Sequence, residues 1–156
     1  MADTVTLLNK THVQKMIVDS INKALKAKSD LPGRAKHIDY EISMLLEATD
    51  NKTEFCRDIL GHIENYTKRA RKKDISLEDF FGKLRFCLLG KLFYLSLKEN
   101  RFLIIKDFID RSNRQYVINA VDMIESSQEN AIFFLDTLKD SRYRDFFNGI
   151  ISCIYN

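Results

Sequence analysis

Residues 76 to 98 are apolar on nearly every side of a helix. Phe80, Phe81, Leu84, Cys87, Leu88, Leu89, Leu92 and Phe93 fall at too many helical angles to line a single face. A helix patterned in this way is enclosed by other elements or by lipid. Lys83, Arg85 and Lys91 interrupt the run, which leaves it too short and too charged to span a bilayer. Ser76 followed by Asp79 supplies a capping-box-like start. The expectation is an all-α chain: a single globular bundle of seven to eight helices around a buried central helix at about 76–98.

Composition agrees. A chain of 156 residues reads as one helical domain, 1–156, with 1–10 flexible. About two-thirds of the unfolded surface can be buried at this size, so neither a disulfide nor a metal is needed for folding. One proline and five glycines are too few turn residues for an all-β chain. Cys56, Cys87 and Cys153 are odd in number, widely spaced and set in apolar helical stretches. They read as buried thiols in a reducing compartment. No pair has CxxC spacing and no histidine completes a zinc site, so no metal or other cofactor is expected. The start MADTVTLLNKTH lacks the basic region and apolar run of a signal peptide. A cytoplasmic or nuclear protein is expected, neither secreted nor in a membrane.

Helix starts parse most of the chain. Thr11 with Gln14 precedes a stripe of Val13, Met16, Ile17, Ile21, Ala24 and Leu25. Leu31-Pro32-Gly33 is the strong break, and a second helix covers about 35–48. Asn51 with Glu54 opens a third, which runs into a basic cluster before the central helix. Beyond Asn100 the helices shorten: RFLIIKDFI, then Ser112 with Gln115, Ser126 with Glu129, and RYRDFFNGIISCIY. The run from Phe102 to Ile105 reads equally as helix or strand. Ten of the eleven phenylalanines lie beyond residue 79, which places the heavier core in the C-terminal half.

The net charge is +3 and its excess is local. Lys68, Arg69, Arg71, Lys72 and Lys73 account for all of it, at the end of the third helix. Five cations there can neutralise several phosphates, and the cluster can also act as a nuclear localisation signal. The same residues complement the macrodipole at a helix C-terminus, which is their plain structural role.

Arg57 and His62, in RDILGH, resemble the R-x4-6-H signature of HEPN-type ribonucleases, which are all-α and often dimeric. That resemblance implies an acid–base histidine and a phosphate-holding arginine. The five-residue offset, however, sets the two side chains about 140° apart on a regular helix, and His62 also fits the apolar stripe. No Glu-x-x-His pair, glycine-rich phosphate loop or nucleophile elbow is present. The C-terminal helices carry more apolar residues than one face needs, with Phe133, Phe134, Phe146 and Phe147 as candidate partner contacts.

The segments HIDYEISMLLEATDNKTEFCRDILGHIENY (37–66), ISLEDFFGKLR and YVINAVDMIESS are similar in order and spacing to the helical core of pneumovirus transcription antiterminators and filovirus transcription activators. The resemblance covers about two-thirds of the chain. It implies a non-enzymatic viral cofactor that binds RNA and a nucleoprotein or phosphoprotein. Those families carry a Cys3His zinc motif ahead of the core, and nothing in this chain supplies one. Virus-encoded Bcl-2-like regulators are similar in helix count.

Together these readings point to a non-enzymatic regulatory or adaptor protein that binds another macromolecule. One partner class is RNA or a nucleoprotein at the basic cluster. The other is a protein helix or peptide, or a second copy in a homodimer, on the apolar C-terminal helices. A HEPN-type ribonuclease is the enzymatic alternative.

Overall fold

The computed structural model describes the backbone of residues 2–70 and 75–155, and the side chains of residues 14–69 and 77–155. The chain is all-α. Among the described residues there are seven helices: α1 (Ala2–Ala27), α2 (Leu31–Glu47), α3 (Lys52–Ala70), α4 (Ile75–Lys98), α5 (Arg114–Ser126), α6 (Gln128–Asp136) and α7 (Ser141–Ile154). They form two compact units, Met1–Arg85 and Phe86–Asn156, whose boundary falls inside α4.

In the first unit, α1, α2 and α3 pack on one another and the first turns of α4 complete the core. Ile17, Ile21, Ile38, Ile42, Phe55 and Ile63 are buried. Polar bonds fix α1 against α3: Gln14 Nε2 donates to Asp58 Oδ2 at 3.1 Å, and the Tyr66 hydroxyl donates to Asn22 Oδ1 at 2.9 Å. The expected start of α3 is present, with Asn51 Oδ1 accepting from the Glu54 amide at 3.1 Å. One break lies earlier than expected. Leu31-Pro32-Gly33 forms the first turn of α2, where proline has no amide to waste and its φ already suits a helix. The interruption falls instead at Lys28 and Asp30, both with left-handed backbones (φ 52° and 49°). The helix expected from Thr11 begins at Ala2.

In the second unit the end of α4 is enclosed as its pattern requires, with every residue from 87 to 93 buried. Two glycines permit this. A Cβ at Gly90 would fall on the carbonyl oxygen of Phe146, and one at Gly149 on that of Cys87, so α4 and α7 cross backbone to backbone. Phe93, Phe108, Phe146 and Phe147 build an aromatic core around the crossing, with ring centroids about 5 Å apart: Phe93–Phe146 5.5 Å, Phe108–Phe146 5.2 Å and Phe146–Phe147 5.2 Å.

RFLIIKDFI is not a helix. Asn100 and Asp107 take left-handed backbones (φ 62° each), and Ile105 and Ile109 exchange both backbone hydrogen bonds at 2.9 Å around a tight turn. That turn directs Ile105, Phe108 and Ile109 inward, which satisfies the apolar run without a helix. The later starts are shifted by one residue. Asn113, not Ser112, precedes α5, while Ser112 donates to Asp110. Ser127, not Ser126, caps α6 by accepting from the Asn130 amide at 3.0 Å.

Candidate functional site

The last turn of α3 carries Lys68 and Arg69, both exposed. Arg71, Lys72 and Lys73 lie outside the described residues. Tyr66, one turn earlier, has its ring stacked on Phe81 (5.6 Å between centroids, 3° between planes) with the Arg69 guanidinium 5.6 Å from the ring centroid. Its hydroxyl is occupied by Asn22. The tyrosine is thus committed to protein contacts. This helix end offers charge and donors suited to phosphate oxygens, without an aromatic platform for bases.

Arg57 is exposed and His62 half-buried on the same uninterrupted helix, whose geometry directs them about 140° apart. Asp58, beside the arginine, is engaged by Gln14 of α1.

The four phenylalanines divide sharply. Phe146 and Phe147 are fully buried and Phe134 nearly so, because they face the aromatic core from α6 and α7. These three side chains belong to the core. Phe134 meets Phe147 edge-on at 5.1 Å. Phe133 alone of the four stands out, 70% exposed, with Ile132 beside it 50% exposed. Met123 on α5 is 45% exposed.

The α5–α6 pair is a short hairpin. Ser126 Oγ donates to the Met123 carbonyl oxygen at 2.6 Å and accepts from Asn130 Nδ2 at 3.0 Å, which ties the last turn of α5 to the first of α6. Farther from the bend, the Tyr116 and Phe134 rings meet at 6.5 Å, so the helices run back along each other. Residues three apart are neighbours on a helix surface. Met123 lies one turn before Ser126 on α5, and Phe133 one turn after Asn130 on α6. Neither Met123 nor Ile132 was singled out from sequence. The available signal was charge: no lysine, arginine or histidine occurs from 115 to 138, while Asp122, Glu125, Glu129 and Asp136 do.

Of those acids, Glu125 is committed. It accepts from Lys98 Nζ at 2.6 Å and from the Tyr94 hydroxyl at 3.0 Å. The Lys98 hydrogen bond holds its carboxyl below the usual range, and Glu125 in turn raises Lys98. Asp122, Glu129 and Asp136 are exposed.

A cleft of about 690 Å³ between α1 and α2 is lined by Asp19, Lys23, Arg34, His37 and Glu41 among others. Glu41 accepts from Ser20 Oγ (3.1 and 3.2 Å) and lies 3.1 Å from His37 Nε2, so its carboxylate already serves to join the two helices. Among the described residues no three His, Cys, Asp or Glu side chains gather to hold a metal ion, and no helix is long and apolar enough to cross a membrane. Cys56 and Cys87 are buried and Cys153 half-buried. Compared with family models, curated proteins and solved structures, the chain matches none, and the likeness to viral transcription cofactors rests on the sequence segments alone.

Proposed function

We propose that this protein is a non-catalytic regulatory or adaptor protein that acts by binding other macromolecules, with RNA or an RNA-bearing nucleoprotein as the ligand of the basic end of α3. The supporting observation is the pair of exposed cations, Lys68 and Arg69, on the last turn of α3, continued in sequence by Arg71, Lys72 and Lys73. With Tyr66 occupied by Phe81, Arg69 and Asn22, contact runs through phosphates and is indifferent to base sequence. Each phosphate neutralised releases counterions, so affinity falls with salt, with a log–log slope of up to about −3.5 for five contacts on a single strand. Titration of a labelled single-stranded RNA at several salt concentrations tests this. The wild type gives a steep slope, and a variant with all five cations changed to Gln gives weaker binding and a flatter slope for every sequence. An equal slope in the two proteins contradicts the reading. A second binding surface, for protein, is favoured by the exposure of Phe133.

A further inference from the structure

We propose that the outer side of the α5–α6 hairpin docks a cationic amphipathic segment of a partner protein, one in which an apolar stripe is bordered by lysine or arginine. The inference rests on the adaptor reading of this surface and not on the RNA reading of α3. Three observations carry it.

First, the hairpin exposes large apolar side chains on both of its helices. Phe133 is 70% exposed, Ile132 beside it in sequence 50%, and Met123 on α5 45%. Exposed apolar residues scattered singly need no explanation, but several on one hairpin mark a contact site. Phenylalanine supplies a stiff anchor and methionine an adaptable one.

Second, the electrostatics select the partner. After Arg114, the first residue of α5, no basic residue occurs up to 138, in a chain with 25 lysines and arginines. Asp122, Glu129 and Asp136 are exposed along it. Such a field repels nucleic acid phosphates and anionic lipid headgroups, and it speeds the approach of a basic segment. Like charge across an interface also discourages an acidic partner.

Third, the support is preorganised. The bend is a single residue, Ser127, whose hydroxyl caps α6, and both helices press Val117, Val121, Ile124 and Ala131 into the core. A partner therefore meets a formed surface and does not bear the cost of ordering it.

The test uses two fluorescent helical peptides, one of Leu and Lys and one of the same Leu pattern with Glu. Binding to the full-length protein is followed by anisotropy, with circular dichroism of every variant as a folding control. The Leu–Lys peptide binds the wild type and the Leu–Glu peptide does not. Phe133→Ser weakens binding by about tenfold or more, with Ile132→Ser as a second variant at an independent position. Changing Asp122 and Asp136 to Asn and Glu129 to Gln together weakens binding and flattens its salt dependence.

Phe133-dependent binding of the Leu–Glu peptide would leave the adaptor reading standing and overturn the cationic partner. Leu–Lys binding indifferent to Phe133→Ser and Ile132→Ser would reduce it to unspecific charge attraction and overturn the proposal. Phe133-dependent self-association by light scattering, without peptide binding, would reassign the surface to a second copy of this chain. Absence of all three kinds of binding would overturn the adaptor reading with it.

Discussion

Lys91 is the least expected residue in its position. It interrupts the apolar run of α4 in sequence, yet its side chain is fully buried. Its ammonium donates to Ser152 Oγ at 2.8 Å, and that hydroxyl donates to the Gly149 carbonyl oxygen at 3.0 Å. A buried charge is costly unless hydrogen-bonded, and removing a partner leaves the remaining group with an unmet desolvation cost. Ser152→Ala should therefore destabilise the protein by about 1–3 kcal/mol. Urea denaturation of the variant checks this, and an unchanged midpoint would mean that the hydroxyl contributes no net stability. The phenylalanines give a sharper contrast. Phe146→Ala empties part of the aromatic core and should cost about 3–5 kcal/mol, while Phe133→Ser, on an exposed side chain, should change stability by no more than about 0.5 kcal/mol.

Among the helices, α4 and its crossing with α7 decide how the second unit packs. Gly90→Ala would drive a methyl group into the Phe146 carbonyl and should cost about 1–3 kcal/mol or more. Gly82→Ala on the same helix meets nothing within 4 Å and should stabilise by about 0.5–1 kcal/mol, the difference in helix propensity. Thermal unfolding of the pair separates crossing geometry from propensity, because both changes are chemically identical. The link between α4 and α5 through Glu125 is sensitive to pH. Its carboxyl is held low by Lys98, then by Tyr94, so its contribution is complete above the ordinary carboxylate pKa and is lost as pH falls through the depressed folded value. Lys98 is raised by Glu125, so its share is complete below the ordinary lysine pKa and is lost only as pH rises through the elevated one. With both side chains partly in solvent, the bond is worth less than about 1 kcal/mol. Glu125→Gln should cost up to that amount near pH 7, and the difference should fade below about pH 4. A gap that persists in acid would assign the effect to packing.

At the scale of the molecule, periodicity and caps revealed the helices, and local backbone geometry caused the departures. The enclosed pattern of α4 and the Asn51 cap of α3 were legible because each depends on residues near in sequence. RFLIIKDFI was not, since its inward residues are also met by a turn that Asn100 and Asp107 enter with left-handed backbones. The split between buried and exposed phenylalanines was not legible for a related reason. Phe133 and Phe134 are adjacent and identical in type, and only the direction from which α5 and α7 approach makes one core and the other surface. The cation-free stretch around them was visible in the sequence but gained meaning once the hairpin showed which side chains border Phe133.

The two surfaces have opposite charge and lie in different units, which predicts a double dissociation. Wild type, the variant with Lys68, Arg69, Arg71, Lys72 and Lys73 changed to Gln, and Phe133→Ser would each be titrated with single-stranded RNA and with the Leu–Lys peptide. The first variant should lose RNA and keep the peptide, and the second should lose the peptide and keep RNA. If RNA binds all three proteins alike, or none of them, the protein does not act on nucleic acid through α3.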